Sequence, residues 1–214
     1  GDDDAGGSND FAQILAYIND ASAGAEEGKL ELRVGSHDGE LQPGLTLLSG
    51  DAEDEVDVTI GNGATSLTTI SGALVAPSRK YELPSSTVGD YKGGDIYYYG
   101  DGSTVKGKIY YIDGTNWTLA DADTEAATKG LLAVALGTDP DVDGMLLRGF
   151  VTLLTEVEGT EAIGSPLYLS ATDSGIATIT VPASGDFVRV LGYSLHATNN
   201  QVYFNPDNTW VERA

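Results

Sequence analysis

The residues with the clearest capacity for chemistry are the aspartates Asp139, Asp141 and Asp143, which alternate along the chain and precede Gly144. This spacing matches the first half of an EF-hand calcium loop. Such a loop needs a glutamate at its twelfth position, where this chain has Phe150, and the flanks are strand-like rather than helical. The pattern therefore indicates an acidic hairpin loop. No metal site is predicted, although weak surface binding of Ca²⁺ stays open at this loop and at the acidic run 51–57.

Carboxylates and histidines are the other candidates for catalysis. A glycosidase needs two carboxylates at a defined separation, but 33 acids in this chain form chance pairs everywhere. None of them lies in an aromatic-rich stretch that would raise its pKa. His37 and His196 are 159 positions apart in loop-like contexts, and there is no cysteine. Two isolated histidines form neither a triad nor a metal site, so we expect no catalytic residue, no cofactor and no enzyme activity.

Aromatic side chains offer a third kind of chemistry, because their rings can stack on sugar rings. The candidates are Tyr97, Tyr98, Tyr99, Tyr110, Tyr111, Trp117 and Trp210. Alternation along a strand places only every second side chain on an open face, and tyrosine is favoured in strands for packing reasons. We therefore expect most of these rings to pack inside the domain or between subunits.

Short strands must position these residues. The segment 29–34 alternates between apolar and charged side chains, which predicts a half-buried strand. The segment 11–18 fits a helix or a strand, and we favour a hairpin with 29–34. Further strands are predicted at 45–48, 56–60, 67–70 and 73–75, with glycine and Asn/Asp turns between them. Such a meander buries little apolar area, so residues 1–76 are predicted to be a first domain that needs partner copies, most simply two further copies of itself.

The second half of the chain contains an internal repeat of one structural unit. A shift of 57 positions places 107–111 on 164–168 without a gap, and the register then holds over the repeats 107–138 and 164–195. Self-similarity at a fixed spacing is a strong architectural signal. Residues 96–214 are therefore predicted to form a distal β-sandwich or β-barrel domain with two related halves.

The join between the two domains is predicted at 77–95, which is rich in proline, serine and glycine. A short helix is expected at 124–129, with Gly130 as its stop. The predicted fold class is all-β, with a β-meander shaft followed by the distal domain.

The charge of the chain restricts its partners. Its net charge of −22 repels phosphate backbones and anionic lipid headgroups. No apolar stretch reaches the length of a membrane span, and no signal-like segment opens the chain. We therefore expect no nucleic acid partner and no membrane insertion. Because the chain starts at Gly1 and its only methionine is Met145, we also expect it to be a piece of a longer protein.

Several runs of residues resemble parts of bacteriophage virion proteins. Residues 1–7, 11–14 and 24–30 are similar to β-structured shaft segments of tail fibre and tail spike proteins of tailed phages. The runs 131–137, 144–151, 189–193 and 203–211 resemble C-terminal domains of virion structural proteins from marine phages and cyanophages. The resemblance covers most of the chain through loose patterns.

The resemblance implies a virion structural protein, the C-terminal part of a homotrimeric tail fibre or spike. Residues 11–76 would interlock three chains, and the distal domain would mediate host attachment by binding a cell-surface glycan or protein. The other partners would be virion proteins. A capsid decoration protein (head fibre or knob) is the first alternative, and a polysaccharide depolymerase is the second.

Receptor binding is expected in the loops of the distal domain, because loops on a rigid β scaffold usually carry binding residues. The residues expected to contact a receptor are Trp117, Asp139, Asp141, Asp143, His196, Asn199 and Asn200.

Overall fold

The structure is a computed structural model that describes residues 10–63, 66–76, 78, 80–154, 157–159 and 162–214. The chain divides into two compact units, Gly1–Pro77 and Ser78–Ala214. Strands account for 41% of the residues and helix for 3%, so the protein is all-β as predicted. In the part of the chain that the structure describes, no helix is long and apolar enough to cross a membrane.

The described residues of the first unit form a four-stranded antiparallel meander in the order β1-β2-β3-β4. The strands are β1 (Ala12–Asp20), β2 (Glu27–Gly35), β3 (Leu41–Ser49) and β4 (Val56–Ile60). The predicted hairpin is confirmed, because Ile14 pairs with Leu32 in register.

The strands predicted at 67–70 and 73–75 are wrong. The described residues there adopt no strand, and Leu67 and Val75 are almost fully exposed. Both runs are short, and neither is hydrogen-bonded to a neighbouring strand, which is what makes an extended segment a strand. The meander of the first unit therefore ends at Ile60.

One face of this meander is mostly apolar and carries no charged side chain, with Gln42 beside Val34 and Ser49 beside Val56 as its polar members. The register places these side chains, which we call the apolar face, on the same side of the sheet: Ile14, Ile18, Leu30, Leu32, Val34, Leu45, Leu47, Val56, Val58 and Ile60. No charged side chain of the described strands lies among them. Its large side chains on β1 and β4 are 57–80% exposed: Ile14, Ile18, Val56, Val58 and Ile60. The unit therefore leaves its largest apolar surface open.

The opposite face of the meander carries a network of charges around Glu31. Lys29 Nζ lies 3.0 Å from Glu31 Oε1, and Arg33 Nε donates to Glu31 Oε2 at 2.7 Å. Arg33 also donates to the Tyr17 hydroxyl at 2.9 Å. Hydrogen bonds from Lys29 and then from Arg33 hold the pKa of Glu31 below its usual value of 4.5. This carboxylate therefore stabilises the sheet in its ionised form.

We expect Glu31→Gln to destabilise the chain at neutral pH, and the difference from wild type to disappear in acid. A carboxylate with a lowered folded-state pKa contributes its full stabilisation above its unfolded pKa, and the contribution is lost as pH falls through the folded value. Thermal unfolding at one protein concentration, from pH 7 down to pH 3, measures this. Glu53→Gln, at an exposed turn position, is the control. A gap between wild type and Glu31→Gln that stays constant with pH would contradict the prediction.

The second unit contains eleven strands and one helix in its described residues. These elements are β5 (Tyr91–Tyr97), β6 (Ile109–Asp113), β7 (Asn116–Leu119), α1 (Glu125–Lys129), β8 (Leu132–Ala135), β9 (Met145–Thr152), β10 (Pro166–Leu169), β11 (Ala177–Thr178), β12 (Phe187–Val188), β13 (Val190–Ser194), β14 (Gln201–Phe204) and β15 (Val211–Glu212). The short helix lies where the sequence predicts it, and its N-cap Thr124 accepts a hydrogen bond from the Ala127 amide.

The strand order of this unit repeats with the spacing seen in the sequence. Among the described residues, one strongly curled antiparallel sheet has the order β11-β10-β13-β14-β9-β8-β6-β7, and β5 pairs with β9. Outward from its centre, one half reads β9-β8-β6-β7 and the other reads β14-β13-β10-β11. Each strand of the first half corresponds to the strand about 57 positions later. The remaining strands, β12 and β15, pair with each other.

The two halves share one main core. Its fully buried members include Ile109, Leu146, Leu167, Leu191 and Phe204, which come from both halves of the sheet. A smaller cluster on the other side of the sheet contains Tyr110, Trp117 and Met145. Because each half supplies one wall of the same core, neither is expected to fold without the other.

The predicted linker 77–95 is corrected by the structure. Residues 91–95 lie in β5, where Tyr91 pairs with Val151. The residues just before β5 are also attached to the sheet, because Gln201 Nε2 donates to the Pro84 carbonyl and the Thr152 hydroxyl donates to the Ser85 carbonyl. Proline, serine and glycine mark a turn-rich segment, but they do not show whether that segment is packed.

Candidate functional site

Trp117 does not lie on a loop. It is in β7 and only 4% exposed, packed with Tyr110 and Met145, and its indole N–H donates to the Tyr99 carbonyl at 2.7 Å. A buried indole with its donor satisfied is not available to a ligand. The prediction that Trp117 occupies a receptor-binding loop is therefore wrong, because the side chain faces the smaller core of the sheet.

The loop of Asp139, Asp141 and Asp143 is an acidic turn, as predicted. The Asp143 carboxylate accepts hydrogen bonds from the amides of Thr138, at 2.7 Å, and Asp139, at 2.9 Å, so it holds its own loop. A hydrogen bond with Asp141 raises the pKa of Asp139. Among the described residues, no group of three His, Cys, Asp or Glu side chains is arranged to hold a metal ion.

The loop from His196 to Asn200 connects β13 to β14. The Thr198 amide donates to His196 Nδ1 at 3.2 Å, and Asn199 Nδ2 lies 3.5 Å from His196 Nε2. Asn200 has a φ of 54°, and its carbonyl accepts from the Leu153 amide. These polar side chains are largely engaged with one another, so the loop is locally ordered.

The structure does not bring the two predicted loops together. The aspartate loop enters β9 at Met145, which pairs with Ala135, whereas the histidine loop leads to Gln201, which pairs with Thr152. Met145 and Thr152 are the two ends of β9. At about 3.3 Å per residue, the loops are roughly 25 Å apart. A single site built from both is therefore excluded.

The tyrosines weighed for sugar binding are divided between core and surface. Tyr110 is buried, as expected for a packing residue, whereas Tyr97, Tyr98 and Tyr99 are 39–56% exposed. The rings of Tyr97 and Tyr99 stack with centroids 5.3 Å apart. A stacked pair of exposed rings does not by itself define a site.

A different set of residues forms a cleft on the outer face of the second unit. We call it the aromatic cleft, and its lining residues are Tyr81, Gly93, Gly94, Asp95, Arg148, Gly149, Phe150 and Tyr203. Its volume is about 190 Å³. The ring centroids of Tyr81 and Phe150 are 5.7 Å apart, and those of Phe150 and Tyr203 are 5.0 Å apart. The three rings therefore form one continuous aromatic wall.

An ion pair lies on the rim of the aromatic cleft. Arg148 donates to Asp95 Oδ2 at 2.8 Å, and both side chains are more than half exposed. The pair places hydrogen-bond donors and an acceptor next to the rings. Its charges cancel, so the cleft has no net charge of its own.

Glycines keep the aromatic cleft open. A Cβ on Gly93 would lie 2.0 Å from Cε1 of Tyr81, so only glycine allows that ring its position. A Cβ on Gly94 would meet the Arg148 carbonyl at 2.0 Å, and one on Gly149 would meet the Gly93 carbonyl at 2.2 Å. All three have positive φ angles, from 57° to 152°. The close approach of β5 and β9 therefore requires glycine.

The sequence contains part of the signal for this cleft. Phe150 and Tyr203 each alternate with buried neighbours, Val151 and Val202, so both rings can be assigned to the outer face of a strand. Their register, in which Phe150 pairs with Tyr203 across 53 positions, cannot be read from alternation.

Comparison with known proteins returns no match to a protein-family model, a curated protein or a solved structure.

Proposed function

We propose that this chain is a structural and binding protein of the virion type, the C-terminal part of a homotrimeric phage tail fibre or spike. The first unit assembles three copies, and the second unit is the distal module that contacts a host surface molecule. The observation that carries the proposal is the open apolar face of the first unit. No catalytic residue is assigned.

The composition of the apolar face supports self-association. Large exposed apolar patches on soluble proteins are typical of interaction sites. The chain carries a net charge of −22, yet none of its charged strand residues is on this face. Packing of this face against the same face of a second copy therefore buries no charged side chain. Repulsion between the remaining surfaces is screened over about 8 Å at physiological salt.

The dimensions of the sheet favour more than a flat pairing of two copies. Four strands about 4.8 Å apart and up to nine residues long give a face of roughly 500 Å², whereas a stable interface buries about 800 Å² on each partner. Among the described residues, β1 and β4 each have one edge without a neighbouring strand. A closed ring of three copies covers both edges and directs the apolar faces inward.

The second unit has the properties of a display module. Its core is continuous through both repeats, and its outer surface carries the loops and the aromatic cleft. Binding residues on such proteins lie on surfaces held by a rigid scaffold. This arrangement agrees with a distal receptor-binding role and with the resemblance of 131–137 and 203–211 to virion proteins.

The solution mass of the purified chain tests the proposal. We expect sedimentation equilibrium at micromolar concentration to give three times the chain mass of 22.3 kDa. A well-folded monomer under these conditions contradicts the fibre assignment. Electron microscopy of virions with a labelled chain then distinguishes the tail from the head, and label on the head supports the capsid decoration protein instead.

A further inference from the structure

We propose that the aromatic cleft of the second unit binds a neutral saccharide. This inference rests on the proposed binding role and gives that role a site and a ligand class. The cleft combines an aromatic wall, a donor and acceptor pair on its rim and a floor of backbone without side chains. The wall and the rim match the two kinds of surface that a pyranose ring presents, and the floor leaves room for the ring.

The aromatic wall matches the apolar C–H face of a sugar. Tyr81 is 43% exposed, and Phe150 and Tyr203 are partly exposed within their strands. Aromatic rings provide large apolar contact with little loss of side-chain entropy. Tyr193 is paired with Tyr203 and is 50% exposed, so the row continues onto the next strand, about 4.8 Å away. A second sugar unit can contact this ring.

The polar rim matches the hydroxyl groups of a sugar. A hydroxyl both donates and accepts. One of the five N–H donors of Arg148 binds Asp95 Oδ2, which leaves four donors and the second carboxylate oxygen for a ligand. Because Asp95 neutralises Arg148, the cleft has no surplus cation for a carboxylate or sulfate. The strongly acidic chain also repels anionic ligands. Neutral hexoses therefore fit better than charged sugars.

The size of the cleft restricts what it can hold. At about 190 Å³ it is smaller than the roughly 300–1,000 Å³ of pockets for drug-sized ligands, so it accommodates a single ring with the remainder of the ligand outside. An aromatic groove can also hold a proline-rich peptide in an extended helix. Such a peptide needs a longer groove than this one, and it does not use an ion pair.

Titration calorimetry of the full chain tests the proposal. The probes are neutral trisaccharides of glucose, galactose, mannose and N-acetylglucosamine, with sialyllactose as an anionic sugar and decaproline as a peptide. We expect at least one neutral trisaccharide to bind, and Tyr81→Ala and Phe150→Ala each to weaken that binding about tenfold or more. Arg148→Gln and Asp95→Asn, both on exposed side chains, are expected to weaken it without affecting folding. Tyr98→Ala, an exposed tyrosine outside the cleft, is the matched control and is expected to leave binding unchanged.

The outcomes separate this inference from the proposed function. Failure of all neutral trisaccharides to bind overturns the inference, as does binding of decaproline alone or sugar binding that survives all four cleft variants. A trimer that binds no sugar overturns the saccharide site and leaves the fibre assignment intact. A monomer that binds a neutral sugar through these residues supports the site and contradicts the fibre assignment.

Discussion

Replacing Leu32 by glutamate is expected to dissociate the proposed trimer into monomers. Leu32 lies on an inner strand of the apolar face, with Ile14 on one side and Leu45 on the other. Burying a leucine contributes about 1.5–3 kcal/mol, and an unpaired carboxylate in an apolar contact costs more than this. Because every copy would carry the charge, we expect the concentration needed for assembly to rise at least about 100-fold. Sedimentation equilibrium over a concentration series measures this change.

The control is a leucine on the opposite face of the same sheet. Leu48 lies between Lys29 and Asp57, so Leu48→Glu adds the same carboxylate among charged neighbours and away from the apolar face. Its assembly is expected to match wild type. Val58→Thr keeps the shape of an apolar-face side chain but adds a hydroxyl group. It is expected to weaken assembly without destabilising the fold. Equal masses for wild type and Leu32→Glu, or dissociation by Leu48→Glu as well, would rule out this face as the interface.

Replacing Arg189 by methionine is expected to cause the largest loss of stability in the second unit. Arg189 is 4% exposed and connects two segments that are distant in sequence. Its Nε donates to the Asp207 carbonyl at 2.9 Å, and one terminal nitrogen donates to the carbonyls of Gly130, at 2.6 Å, and Thr128. The guanidinium thereby joins the end of α1 to the C-terminal segment, and its positive charge is favourable at a helix C-terminus.

Methionine keeps most of the side-chain volume but leaves three carbonyls without their donor. Hydrogen bonds from charged groups contribute about 1.5–3 kcal/mol each. Because methionine also removes the desolvation cost of the buried guanidinium, the net loss is smaller than the sum of three such bonds, and we expect the free energy of unfolding to fall by about 3–5 kcal/mol. Urea unfolding followed by circular dichroism measures the change. Arg189→Lys is expected to recover part of it, because one ammonium cannot reproduce the planar donor geometry.

Lys129→Met is the matched control at the same helix end. Lys129 is exposed and lies 4.0 Å from Glu125, and an exposed pair of this kind contributes about 0.5 kcal/mol or less. Similar losses for the Lys129 and Arg189 variants would show that charge at the helix end, rather than the buried hydrogen bonds, is responsible.

The hairpin and the helix could be predicted because their signals are local. The alternation in 29–34 assigns each side chain to a face whatever the partner strand is, and β2 has this alternation. The burial within one chain is the reverse of a half-buried strand, because Glu31 is buried whereas Leu32 and Val34 are exposed. Thr124 and Gly130 similarly delimit α1. The runs 67–70 and 73–75 show the limit of this reasoning. Their composition suits strands, but a strand also needs a neighbour that supplies hydrogen bonds.

The position of Trp117 and the packing of 91–95 could not be predicted. Burial of an aromatic ring depends on what covers it, and here the cover comes from Met145, on another strand. Proline and glycine around β5 suggest a linker, yet Gly94 permits the close approach to β9 that makes this segment part of the sheet. Proline and glycine therefore occur both in linkers and in strands that pack closely against a neighbour.

By itself, the sequence determined the all-β class, the faces of the strands in the first unit and the 57-residue repeat. Only the tertiary structure decided that Phe150 meets Tyr203, that Tyr81 covers Gly93 and that the two predicted loops lie at opposite ends of β9. The reason is that the two-residue period of a strand assigns each side chain to a face through local geometry. The partner and register of strands far apart in sequence are instead selected by packing of the whole core.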